Sequence, residues 1–295
     1  MRYHRMGNVL RVVVAAAVCL LGARYSEAQL YGADGSGGNA SNLYILDPAS
    51  GSIISTVGPI GFAVTGLAFD PTTGTLYGST SRNELAGLAP SLITINTATG
   101  AGTLVGPINL GGQGAADIAF LADGTLLGWI EPSNDDLATI NKATGQATII
   151  GEAFEGTSEA GLSVNPADEV FFGGDASVQG LLQINPATGA VIDSIPFSPS
   201  LDVGLGMAFD ANGQLIAIFQ INSDDRALAR VHPTTGQVVI VGATVDDLDA
   251  LALAPGTLLP AIDFAAESAP APAMSFVALA AMVLALLGVG ARFTR

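Results

Sequence analysis

Leu181–Ile195 reads LLQINPATGAVIDSI: an apolar strand, a five-residue turn (Asn185-Pro186-Ala187-Thr188-Gly189) and a returning strand. The turn has a chemical logic. Pro presets φ at its second position, Asn can hydrogen-bond the turn backbone, and the closing Gly can take positive φ. The same unit recurs at Leu43–Val57, Leu92–Val105, Leu137–Ile150 and Leu228–Val241. The last copy opens its turn with His232 but keeps Pro233 and Gly236.

A second hairpin alternates with the first. It runs Gly66-Leu-Ala-Phe-Asp-Pro-Thr-Thr-Gly-Thr-Leu-Tyr-Gly78, and again from Asp117, Gly161 and Gly206, at spacings of 51, 44 and 45 residues. Two hairpins per repeat of this length is the signature of a four-stranded propeller blade. Four complete blades follow from these starts. Two pieces remain: Ala250–Ala254 matches an innermost strand, and Gln29–Ala33 matches a second strand leading into the Leu43 hairpin. Together they form a fifth blade, with one strand from the C-terminal side and three from the N-terminal side. Such a mixed blade closes the ring and leaves no open sheet edge between first and last blades. The expectation is an all-β, five-bladed β-propeller over residues 29–256.

The blade pattern, in Leu43–Gly58 followed by Gly66–Gly78, resembles the secreted bacterial propellers of the YVTN-like and related types. That resemblance implies fold and export, and no reaction. Propeller geometry puts the longer, irregular loops on one face, and function is expected there, away from the tight Gly turns.

The two ends read as signals. Residues 1–28 carry Arg2, Arg5 and Arg11, then the apolar run Val12–Gly22, then Ser26-Glu27-Ala28, the form of a secretory signal peptide cut after Ala28 by signal peptidase. Cys19, the chain's 1 cysteine, lies in that leader, so the mature chain has no thiol chemistry. A Pro/Ala-rich linker at 257–273 leads to an uncharged run, Met274–Ala291, and the basic end Arg292-Phe293-Thr294-Arg295. This length suffices for one transmembrane-type helix at 274–295, with the basic end placing the C-terminus in the cytoplasm. The layout resembles the PEP-CTERM class of bacterial sorting tails, although Ala269–Phe276, APAPAMSF, stands where a Pro-Glu-Pro motif would be. The resemblance implies a membrane sorting protease as partner; a plain anchor is the alternative. Either reading places the propeller in the periplasm, on the cell surface or in the extracellular matrix.

The formal net charge is −16, from 10 Lys plus Arg against 26 Asp plus Glu, which disfavours nucleic acid and anionic lipid surfaces as partners. Of the chain's 2 histidines His4 lies in the leader, so a Ser-His-Asp triad or His-rich zinc site would have to use His232, and that sits in a tight turn. The innermost strands begin with Gly or Ala except at Asp117, and the 1 tryptophan, Trp129, is expected to pack between blades. The function expected is therefore a non-enzymatic binding or matrix-associated module for a surface protein or polysaccharide, with no cofactor. The rival is a propeller hydrolase or lyase using channel carboxylates or a divalent cation. Asn134-Asp135-Asp136 and Ser223-Asp224-Asp225 fall in corresponding loops, and Asp246-Asp247-Leu248-Asp249 in a between-blade loop. Asp135, Asp136, Asp224 and Asp225 are thus the candidate ligands for Ca²⁺, which takes roughly six to eight oxygens. Their spacing matches no DxDxDG calcium loop, and solvated loop acids are the ordinary case. Thermal melts of the exported protein with and without EDTA should coincide; a lower midpoint in EDTA, restored by Ca²⁺, would assign these acids as ligands.

Overall fold

The structure, a computed structural model, describes residues 29–35, 38–83, 87–131, 135–154, 161–173, 179–201, 206–221 and 225–264. The leader with its cut after Ala28, Asp224 and the tail at 274–295 lie outside the described residues. Among the described residues twenty strands form five antiparallel sheets of four. The closing blade takes its inner strand from the far end of the chain: β20 (Leu248–Leu253), then β1 (Leu30–Asp34), β2 (Asn42–Leu46) and β3 (Ile53–Pro59). The second blade is β4 (Val64–Phe69), β5 (Leu76–Thr80), β6 (Ser91–Ile95) and β7 (Gly102–Pro107). The third is β8 (Gly114–Phe120), β9 (Leu126–Glu131), β10 (Asp135–Ile140) and β11 (Ala147–Phe154). The fourth is β12 (Gly161–Val164), β13 (Val170–Gly173), β14 (Gly180–Ile184) and β15 (Val191–Pro196). The fifth is β16 (Met207–Phe209), β17 (Leu215–Gln220), β18 (Arg226–Val231) and β19 (Val238–Ala243). This is the expected five-bladed propeller, and its closing register pairs Leu30 with Leu253 and Gly32 with Leu251.

The outer hairpins form as their sequences dictate. In four of them the leading Asp or Asn accepts the amide two residues on, at 2.9 Å each: Ala49 on Asp47, Ala98 on Asn96, Ala143 on Asn141 and Ala187 on Asn185. His232 does the same through Nδ1, accepting Thr234 N at 3.3 Å. The closing glycines 51, 100, 145, 189 and 236 have φ of 77°, 82°, 78°, 74° and 70°. That conformation costs a side-chain-bearing residue about 1–2 kcal/mol.

These glycines do more than turn the chain. A Cβ added to Gly100 would lie 2.5 Å from Gly58 O of the preceding blade; on Gly145, 2.1 Å from Gly106 O; on Gly189, 2.5 Å from Gly151 O; on Gly236, 1.9 Å from Pro196 O. Gly51 closes the circle at 2.9 Å from Gly242 O. Each outer turn is thus seated on the backbone of the preceding blade's outermost strand, five times around the ring. Backbone bonds follow the same route: Gly102 N donates to Ile60 O at 2.9 Å, Ala147 N to Ile108 O at 3.0 Å and Val238 N to Ser198 O at 2.9 Å.

Nearer the axis the blades are joined by side chains. Tyr31, Tyr77 and Phe171 of second strands pack on Phe69, Phe120 and Phe209 of the next blade's innermost strand, at centroid separations of 5.5, 5.6 and 5.2 Å. In the other two seams both partners are aliphatic, Leu127 with Val164 and Ile216 with Leu253, so ring faces ring and aliphatic faces aliphatic. Trp129 packs between blades as expected, stacked on Phe172 at 4.1 Å. The chain after β20 stays on the propeller body. Leu259 is buried in the seam between the fifth and closing blades with Leu30, Leu46, Ile216 and Leu228. Leu259 N donates to Asp210 Oδ2 at 2.9 Å and Arg230 Nη1 to Pro260 O at 2.8 Å. The compact unit therefore ends at Pro260, four residues beyond the boundary at 256 drawn from the repeats.

Gly74 and Gly145 separate the two roles of a turn glycine. Both have positive φ (71° and 78°), but a Cβ on Gly74 meets nothing within 4 Å. Gly74→Ala should cost about 1–2 kcal/mol, the conformational term alone. Gly145→Ala should cost that plus about 1–3 kcal/mol of steric displacement. Urea unfolding of the pair measures the difference; equal losses would refute the seating of outer turns on neighbouring backbones.

Candidate functional site

The five innermost strands converge with Gly66, Asp117, Gly161, Gly206 and Ala250 at corresponding places. Their packing is close: a Cβ on Gly66 would lie 2.7 Å from Asp117 Cα, and one on Gly206 would lie 2.8 Å from Ala250 Cα. At this level the axis is closed by backbone and by the Asp117 side chain, which is 1% exposed. Its carboxylate is bonded by amides from three blades: Ile118 N to Oδ1 at 2.8 Å, Leu162 N to Oδ2 at 2.8 Å, and Leu67 N. Burial, joined by the negative charge of Asp249, pushes the Asp117 carboxyl well above the usual range against the pull of these donors.

From that closure a cavity of about 190 Å³ opens towards the tight-turn face. Its walls come in layers. Leu67, Ile118, Leu162, Met207 and Leu251 lie next to the closure; Ala68, Ala119, Ser163, Ala208 and Ala252 follow; Phe69, Phe120, Val164, Phe209 and Leu253 form the mouth. Pro71 and Pro255 stand on the rim. The inter-blade ring contacts described above lock the mouth residues in place. Beside the mouth, Lys142 reaches from the third blade's outer turn to Asp70 Oδ2 at 2.7 Å and lies 5.5 Å from the centroid of Phe120. Asp70 is 1% exposed; against the penalty of that burial, Lys142 and the hydroxyl and amide of Thr72 hold its carboxyl well below the usual range.

The candidate cation ligands do not occupy corresponding places. Asp135 and Asp136 were expected in a loop but begin β10, with Asp136 buried and paired across to Ile130. Asp225 precedes β18 and is exposed. Superposing the two blades on Leu137 and Leu228 sets Asp136 against Ala227 and Asp135 against Arg226, so neither acid of β10 has an acid opposite it in β18. Among the described residues no three His, Cys, Asp or Glu side chains come together in a metal-binding group. Asp246 is exposed and Asp247 carries a positive φ of 56°. The axial cavity, the Lys142–Asp70 pair and the Arg230 clamp have no motif in the sequence. The one usable signal was Asp117, an acid at a place held elsewhere by Gly or Ala.

No protein-family model matches the chain, and no curated protein matches its sequence. Solved structures do match. A protein of unknown function from Bacteroides thetaiotaomicron is 16% identical at a TM-score of 0.52, covering 78% of this chain and 68% of that one. TolB from Acinetobacter baumannii is 15% identical at a TM-score of 0.49, covering 81% of this chain and 59% of TolB, so this chain spans less than two thirds of it. A protein of unknown function from Bacteroides caccae is 10% identical at 0.49, covering 78% of this chain and 99% of the other. At these identities the likeness is one of fold.

The Asp117 carboxyl gives a pH test with a defined sign. A carboxyl raised in the folded state contributes stability that is fully present below the ordinary carboxylate range and is lost as pH rises through the folded value. Asp117→Asn removes that titration. Urea unfolding between mildly acidic and mildly alkaline pH should show wild type losing stability relative to Asp117→Asn as pH rises. A difference moving the opposite way would mean that the three amide donors outweigh burial.

Proposed function

We propose that this protein is an exported, non-enzymatic β-propeller that binds a surface protein or polysaccharide at the cell envelope. In this reading the hydrophobic tail at 274–295 tethers it or is removed by a membrane sorting protease. The observation that carries the reading is the state of Asp117. A catalytic carboxylate must reach its substrate, and general acid–base chemistry needs a proton within hydrogen-bond range of the reacting group. Asp117 instead spends both oxygens on backbone amides of three blades and is 1% exposed. It fastens the axis. Below it the cavity is walled by aliphatic and aromatic side chains with Ser163 as the single side-chain hydroxyl, a lining suited to binding.

Export has support from the leader's form, and tethering from the uncharged run Met274–Ala291 followed by the basic end Arg292–Arg295. Two measurements test the proposal. Mass spectrometry of the envelope and medium fractions should find Gln29 at the N-terminus; a C-terminus still at Arg295 would eliminate the sorting protease and leave a plain anchor. A panel of polysaccharides and small esters should show no turnover by the purified protein. Turnover that Asp117→Asn abolishes would replace the binding reading with the hydrolase or lyase one.

A further inference from the structure

The funnel below Asp117 is lined with more than hydrocarbon. In every blade the residue just past the innermost strand's mouth position donates its amide sideways to the second strand. These bonds are Asp70 N to Thr75 O, Leu121 N to Thr125 O, Asn165 N to Glu169 O, Asp210 N to Gln214 O and Ala254 N to Gln29 O, all between 2.9 and 3.0 Å. Backbone groups alternate in direction along a strand, so the amide one residue earlier, together with that residue's carbonyl, is turned the other way, towards the axis. Those inward amides belong to Phe69, Phe120, Val164, Phe209 and Leu253.

One of the five is capped. Phe209 N donates to Ser163 Oγ of the neighbouring blade at 3.3 Å. Ser163 occupies a place that is alanine in the other blades, so no hydroxyl stands over the amides of Phe69, Phe120, Val164 and Leu253. Two residues further up the same strands, the equivalent amides of Leu67, Ile118 and Leu162 already hold a carboxyl group, that of Asp117. The molecule thus contains its own precedent for what an inward ring of propeller amides takes.

We propose that the funnel is a binding site for a compact apolar carboxylate, its carboxyl group on the inward amides of Phe69, Phe120, Val164 and Leu253 and its hydrocarbon part within the Phe and Leu ring of the mouth. The size fits: the cavity is about 190 Å³, and a dry cavity of roughly 150 Å³ accommodates one benzene ring. The Lys142 ammonium beside Phe120 is neutralised at the entrance by its ion pair with Asp70, so the pair adds no net charge there. Asp117 above is already saturated by amide donors and is favoured in its neutral form by burial, and the ionised Asp70 beside the mouth is offset by Lys142, which reduces repulsion.

The inference rests on the binding reading above and names the ligand class of one end of the axis. The test is calorimetric titration of the full-length protein in nanodiscs, since detergent would itself enter an apolar funnel, with sodium benzoate and benzyl alcohol as probes. Benzoate should bind at least about tenfold more tightly than benzyl alcohol, because hydrogen bonds to a charged acceptor are roughly twice as strong as neutral ones. Ala119→Ser, which places a hydroxyl over the Val164 amide as Ser163 does over Phe209, should weaken benzoate about fivefold, the value of one net hydrogen bond. Ser163→Ala frees the Phe209 amide and should strengthen it by a similar factor. Ala68→Leu, which fills the funnel, should abolish binding. Benzoate silent at millimolar concentration, benzyl alcohol bound equally well, or affinities unmoved by all three substitutions would each overturn the proposal. The turnover assay and the mass spectrometry of the termini are read independently of this titration, so this site can fail while the wider reading survives.

Discussion

Closure of the ring depends on backbone meeting backbone at five outer seams. Each outer hairpin turn must approach the preceding blade's outermost strand so closely that a single added methyl group would lie 1.9–2.9 Å from a carbonyl oxygen. Glycine satisfies two demands there at once, positive φ and absence of bulk. The approach in turn brings main-chain donors and acceptors of adjacent blades within bonding range, as at Gly102 and Ile60. Inside this hoop the packing is side chain on side chain. The inner seams tolerate exchange of aromatic for aliphatic provided both partners change, as Leu127 and Val164 have done relative to Tyr77 and Phe120. The periphery is sterically strict and the interior is matched pairwise.

The axis follows from the same geometry. Five sheets brought this close leave room at their inner ends for hydrogen, a methyl group or one short polar side chain. Gly66, Gly161, Gly206 and Ala250 provide the first two, and Asp117 the third. Because the inner edges of the sheets present unpaired amides, the one acid that fits is also the one that satisfies them. The result is an axis plugged at one level and open below it, with hydrocarbon walls and main-chain polarity between them.

Much of the architecture could be read directly from the residues. Five copies of a five-residue turn that opens on Asp, Asn or His and closes on glycine specify outer hairpins, and the mismatch between N- and C-terminal fragments specifies the mixed blade, because local turn chemistry and strand periodicity are encoded within a few residues. The site was far less legible. Asp117 stood out as an exception, yet its partners are main-chain amides of Leu67 and Leu162, which carry no signature in side-chain identity. The acids at 135–136 and 225 looked equivalent because both precede a third strand, but strand register, set by pairs such as Leu137 with Trp129 and Leu228 with Ile218, displaces one set from the other. Arg230 and Leu259 are unremarkable in sequence. They matter only because folding brings the end of the repeat region back across the fifth blade.

That return crossing has a mechanical side. The innermost strand of the closing blade is the last to be made, and the chain continues directly from it towards the C-terminus. Without an anchorage, any pull on that continuation would peel β20 from β1 one hydrogen bond at a time, the weakest way to load a sheet. With Leu259 sunk between blades and Pro260 held by Arg230, tension is borne first by a buried plug and a charged clasp seated on the fifth blade. The closing strand lies behind that strain relief, much as a cable is knotted inside the housing it leaves.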